Sequence, residues 1–158
     1  MEKFIRRTLI IVALLLLVPD ILAGIKGVLP VSIPDNLEAK INASEAIHYE
    51  IDKEAQVGAD HIYFKHLIIS DEATILIYKI KKGEQGWSFS ESAMYLTTAE
   101  GKSYEFNGGS SSHWGYISSS VSGFEKIPID TESITIEYEW YDRSFQVDVP
   151  IDNGGTIE

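Results

Sequence analysis

The sequence predicts an all-β fold, an antiparallel β-sandwich of about eight short strands preceded by an N-terminal hydrophobic helix. Three observations predict it. Runs rich in aromatic and β-branched residues recur across residues 46–151, separated by turn residues every eight to twelve positions. Near the C-terminus, apolar and polar residues alternate almost perfectly on both sides of a tight turn. Helical spacing fails throughout the same stretch. Many short strands with no helix-period segment between them favour a sandwich, with a small closed barrel as the competitor.

Residues 1–29 read as a signal or membrane anchor. Lys3, Arg6 and Arg7 precede an uncharged apolar run at residues 8–18, and a second apolar stretch at 21–31 follows Pro19 and Asp20. A basic flank before about 7–15 apolar residues is the layout of a secretory signal. Ala23 and Gly24 offer only a poor cleavage site, so an uncleaved anchor is favoured over a removed leader. The lipid-accepting Cys that would follow residues 22–24 is Ile25, which excludes a lipid anchor. The basic flank places the N-terminus in the cytoplasm and the remainder outside the cell membrane. The expected location is therefore a single N-terminal pass with the C-terminal domain outside, the alternative being secretion after cleavage.

Residues 30–45 read as a linker, with Pro30, Pro34 and Asp35 opposing helix at its start. Within it, residues 36–45 suit either a short helical turn or extended chain. The domain proper is residues 46–158. A weak strand is expected at 46–52, then a strong one at 61–70. Asp71-Glu72 turns the latter into 74–81, which alternates well. Gly83 and Gly86 end that strand before a short one at 87–89. Strands at 94–98 and 103–106 flank Ala99-Glu100-Gly101-Lys102, a four-residue hairpin loop. Residues 107–115 (NGGSSSHWG) read as a flexible loop, and a strand follows at 114–121. In the last hairpin Ile134, Ile136, Tyr138 and Trp140 face inward, the turn is placed at Asp142-Arg143, and Phe145, Val147 and Val149 resume the inward pattern.

The segments HLIISDEATILIYKI (66–80), YLTTAEGKSYEFNGG (95–109), FEKIPIDTESITIEYEW (124–140) and RSFQVDVPI (143–151) carry a resemblance. Residues 46–151 resemble the extracytoplasmic Ig-like domains of unknown function in membrane proteins of Gram-positive bacteria. Some of these domains lie C-terminal to the transmembrane helix of anti-sigma-factor-like proteins. The resemblance implies an Ig-like fold and an extracytoplasmic location, and it brings no catalytic or binding residues. Only about seven residues precede the apolar run, too few for a sigma-binding domain, so a direct sigma-factor role is not expected. Ig-like refers here to architecture, because the paired Cys around a Trp are missing.

Composition removes whole classes of chemistry. The chain of 158 residues has no Cys, so disulfides, thiolate nucleophiles and thiolate metal sites are excluded. After residue 29 there are 22 acidic and nine basic residues, a net charge of -13, which opposes nucleic-acid binding. Ser112 beside His113 suggests a nucleophile with its base, but a triad needs a third group to orient the base, and no G-x-S-x-G elbow is present. His61 and His66 are five apart, which sends them to opposite faces of a regular strand, so without a bulge they cannot share one ion. The other histidines, His48 and His113, show no zincin spacing. Asp71-Glu72, Asp130 with Glu132, Asp142 and Asp152-Asn153-Gly154-Gly155 lack the spacing of a calcium loop. Neither a metal nor any other cofactor is expected. Tyr138, Trp140 and Phe145 read as core rather than as a carbohydrate platform.

The contact residues singled out are Trp87, Trp114 and His113, each beside glycine- or serine-rich turns. The expected function is that of a membrane-tethered, extracytoplasmic Ig-like binding or structural module, not an enzyme. Its partners would be the membrane, through the N-terminal helix, and a protein of the cell envelope. The alternative is a secreted enzyme or carbohydrate-binding module using the 107–115 loop.

Overall fold

Among the described residues, period-two alternation across 46–151 translates into eight strands and one short helical turn, Glu91–Ala93. The computed structural model describes residues 31–83 and 89–151, within the second of the two units into which the chain divides, Val31–Glu158. The expected anchor at 1–29, most of the strand at 87–89 together with Trp87, and the 152–155 acidic cluster lie outside the described residues. Among the described residues no helix is long and apolar enough to cross a membrane.

The strands are β1 (Ala46–Val57), β2 (Asp60–Ser70), β3 (Thr74–Lys81), β4 (Met94–Thr98), β5 (Ser103–Trp114), β6 (Ile117–Phe124), β7 (Ser133–Trp140) and β8 (Arg143–Pro150). They form one antiparallel sheet in the order β1-β2-β3-β6-β5-β4-β7-β8. The sheet curls around a single core to which every strand contributes. Phe64, Leu76, Tyr78, Leu96, Tyr104, Phe124, Ile136 and Val149 all point into it, and β1 comes to lie alongside β8. A stacked aromatic layer fills the middle, with Phe89 4.5 Å from Tyr138 and Tyr138 5.2 Å from Phe145 between ring centroids.

Residues 30–45, expected as a linker, hold a helix, α1 (Asp35–Asn42), that packs on the outer face of the sheet. Pro34 sits at its N-cap position, where a missing N–H costs nothing, and Asp35 and Glu38 occupy the first turn, with Lys40 in the last. Leu37 and Ile41, four apart and so on one helix face, join Val31 and Ile33 over Ala46, Ile68 and Ile77. That second apolar cluster makes this face of the sheet two-sided, so β2 and β3 bury residues on both faces.

Two bulges reset the faces of the first hairpin. The β1–β2 register shifts between Glu50 and Lys53, where Asp52 takes φ 44, and the β2–β3 register shifts between Phe64 and His66. Ile62 and Phe64 point inward before the second shift, and Leu67 and Ile69 after it. His61 and His66 therefore both lie on the outer face. The expectation that they oppose each other holds only for an unbroken strand.

The largest departure concerns residues 107–115. They are not a loop: Ser103–Trp114 is one strand, and the chain reverses at Gly115-Tyr116, with Trp114 paired to Ile117. Gly115 takes φ 55 at the first position of this two-residue turn. The final hairpin also turns one residue earlier than expected, at Tyr141-Asp142, because Trp140 pairs with Arg143. Trp140, expected in the core, lies beyond its end and is 37% exposed, packed edge-on against Tyr141.

Candidate functional site

Three residues in the middle of β5 decide its course. Phe106 pairs with Phe124, but the next partners are Gly109 and Ser122, so β5 carries one residue more than β6 at this point. Gly108 takes φ 107, a conformation that only glycine adopts without strain. A Cβ on Gly109 would stand 2.6 Å from the Val121 carbonyl oxygen. The Asn107-Gly108-Gly109 run is thus a bulge built where two backbones touch. Before it, Ser103, Tyr104 and Glu105 pair with β4; after it, among the described residues, β5 follows β6 alone.

The second half of β5 is therefore an edge. Lys82 N–H donates to the Tyr116 carbonyl at 2.7 Å, which sets the alternation along β6. In an antiparallel ladder bonded and non-bonded pairs alternate, so Ser118, Ser120 and Ser122 address β3 while Ile117, Ser119 and Val121 address β5. Ser110, Ser112 and Trp114 return those bonds. Ser111 and His113 then direct their N–H and C=O groups away from β6, with Gly109 in phase at the bulge. Residues 109–113 are all exposed. Natural edges are usually blunted by Lys, Pro, inward charges or short length. This one has no Lys, Pro or charge between Asn107 and Trp114, and the whole strand is 12 residues long.

Side chains on the two faces of this edge differ. Ser111 pairs with Ser120 and His113 with Ser118, which puts them on the core side, where Ser118 and Ser120 are buried at 2% and 1% exposure. Ser122 continues that hydroxyl strip, its Oγ 2.9 Å from the Tyr78 hydroxyl, and burial raises the Tyr78 phenol far above its ordinary value. Ser111 Oγ and His113 Nε2 share a hydrogen bond at 3.2 Å. The residue that meets His113 is therefore Ser111 and not its neighbour Ser112, which points to the opposite face. Among the described residues no carboxylate orients the His113 ring, so the contact lacks the third group that a nucleophilic triad requires. Of the expected contact residues, the structure brings His113 and Trp114 to one strand edge.

The remaining histidines are engaged elsewhere. His61 Nδ1 lies 2.6 Å from Glu54 Oε1 and its ring stacks on Tyr63. His48 Nε2 and His66 Nδ1 meet at 3.0 Å across β1 and β2. Burial lowers the His48 pKa, helped by the neighbouring His66 and opposed by Glu50. This pair escapes sequence reasoning, because it depends on a cross-strand register that places Glu50 opposite His66. The acidic turn Asp71-Glu72 is neutralised from two sides, by Lys126 at 3.1 Å and by Lys40. Among the described residues no three His, Asp or Glu side chains gather around a possible metal position. Tyr141, also missed from sequence, projects 89% exposed from the last turn with φ 58, beside a shallow hollow lined by Tyr95, Glu137 and Glu139.

No family model matches the chain, and no curated protein matches it. Among solved structures, the crystal structure of the conserved domain protein from Bacillus anthracis is similar at a TM-score of 0.46 and 14% sequence identity. The match covers 68% of this chain and 49% of that one, so the chain spans about half the length of that neighbour.

Proposed function

We propose that this chain is a membrane-tethered, extracytoplasmic binding module that holds a protein of the cell envelope by strand addition to the open edge of β5. The observation that carries the reading is an exposed, unblocked edge in the middle of a sheet whose two end strands, β1 and β8, lie against each other. An added strand gains main-chain hydrogen bonds from Ser111 and His113, while His113 and the alternating serines supply side-chain contacts. We read the fold as a sandwich rather than a closed barrel. The bulge at Phe106–Gly109 supports this, since it hands β5 from β4 to β6 as a strand shared by two sheets does at a corner. The basic flank and apolar run at the N-terminus support tethering, as does the resemblance to extracytoplasmic Ig-like domains of Gram-positive membrane proteins. The net charge of -13 after residue 29 disfavours both nucleic acid and pairing between two copies.

The test expresses the full chain with a C-terminal tag and a photo-crosslinking residue at Ser110 or Ser112. The expected result is a tag open to external protease and a protein adduct that disappears with Ser111→Pro, which removes an outward donor. An adduct that survives Ser111→Pro would overturn strand addition, and a tag protected inside the cell would overturn the location.

A further inference from the structure

We infer that His48 and His66 form a binding site for one divalent transition-metal ion of the copper(II)–nickel(II) class on the outer face of β1 and β2. The two rings come from neighbouring strands and are held by the ladder, with Nε2 of His48 and Nδ1 of His66 3.0 Å apart. Two nitrogens each about 2.0–2.1 Å from one ion stand about 2.9 Å apart at a right angle and about 3.4 Å apart at the tetrahedral angle. The observed spacing is therefore close to the bite that a tetragonal ion asks of two neighbouring ligands. Square-planar and tetragonal sites with imidazole donors belong to Cu(II) and Ni(II).

The surroundings suit a cation. Glu50 stands two residues along β1 from His48, on the same face, and directly opposite His66. Its side chain is exposed, so its carboxylate is free to swing toward the ion. The adjacent cation Lys65 is drawn off by Asp52. On the side toward β3 and α1 the pair is flanked by Ile68 and Ile77, which carry no charge. Both rings are only partly buried and Glu50 beside them is exposed, so water reaches the ion's remaining positions from the outer face. At present the two nitrogens share one hydrogen. Metal binding moves that hydrogen to the donor ring's other nitrogen, leaving a lone pair on each facing atom and no net proton released.

The experiment titrates the purified full chain, pretreated with chelator, with NiCl2 and with CuCl2 by calorimetry, and records the electron paramagnetic resonance of the copper form. One equivalent should bind, with copper tighter than nickel and with splitting from imidazole nitrogens in the copper plane. His48→Asn and His66→Asn should each weaken nickel binding at least tenfold, whereas His61→Asn and His113→Asn should leave it unchanged. Circular dichroism on each variant separates loss of the site from loss of the fold. Should His48→Asn weaken the domain too far, His66→Asn and Glu50→Gln carry the test, the latter expected to weaken binding by a few-fold. No uptake by the wild-type chain, or uptake indifferent to both His48 and His66, would overturn the assignment.

Discussion

Proline scanning of β5 tests the open edge at single-residue resolution. In the phase set by the Lys82–Tyr116 bond, the Ser112 amide belongs to the β5–β6 ladder and the Ser111 amide faces outward. Ser112→Pro deletes a ladder bond, worth about 0.5–1.5 kcal/mol net, and forces the ring against β6, for a total loss of about 2–4 kcal/mol. Ser111→Pro removes no ladder bond, only the exposed side-chain hydrogen bond to His113. Prolines are accepted on edge strands with the N–H side facing solvent, so its cost should stay below about 1 kcal/mol. A gap of about 2 kcal/mol separates the two variants by roughly 8 °C in Tm for a domain of this size, or by about 1 M in urea midpoint. His113→Pro should behave like Ser111→Pro. Urea denaturation followed by tryptophan fluorescence reads all three. Equal losses at 111 and 112, or a larger loss at 111, would refute the edge assignment, because the outward groups would then belong to the even positions.

Other consequences are as direct. Gly109→Ala places a Cβ 2.6 Å from the Val121 carbonyl oxygen, and since that atom is backbone something must shift; the expected loss is about 1–3 kcal/mol in a denaturant melt. Tyr141→Gly should raise Tm by a few degrees, because a left-handed φ of 58 strains a side chain that is 89% exposed, and a melt that falls instead would mean the Trp140 contact outweighs the strain. In metal-free buffer the domain should lose stability as pH falls below the ordinary histidine value of 6.5. The sign follows from His48, whose folded pKa is depressed by burial, so the unfolded chain takes up the proton first. His48→Asn should flatten that slope between pH 7 and 5.

Where turn residues and alternation coincide, the sequence is enough to place strands to the residue. β3 at 74–81 and β4 at 94–98 begin and end where expected, since Asp71-Glu72 and Ala99–Lys102 punctuate clean apolar alternation. Legibility fails at bulges. The first strand was expected to stop at residue 52, where the β1 bulge breaks the period; the chain continues to Val57 because its second half pairs with residues 60–64 of β2. The bulge between Phe64 and His66 in β2 likewise puts His61 and His66 on one face rather than on opposite faces. The helix α1 lay within the expected alternatives but its docking did not, because Leu37 and Ile41 alone do not declare that the outer face of β2 and β3 is apolar. That face becomes readable only once Ile68 and Ile77 are known to be neighbours.

The β5 edge was hidden for a physical reason that bears on its role. A strand usually betrays itself by β-branched and aromatic residues, since those pack on the pleated surface. Residues 107–113 have none, and among the described residues their main-chain pairing is with β6 alone, which leaves their other side exposed. Glycine and serine give that edge polar, small side chains with no charge to repel an approaching strand and no apolar surface to drive indiscriminate aggregation. A composition that reads as a flexible loop is therefore also what an edge needs if it must stay soluble by itself and still accept a partner through its backbone. The buried serines of β6 fit the same logic. Ser118, Ser120 and Ser122 lie one strand in from the opening and are buried while the edge stands empty, and Ser122 meets the Tyr78 hydroxyl at 2.9 Å, so the strip beside the edge is closed by small hydroxyl side chains rather than by large apolar ones.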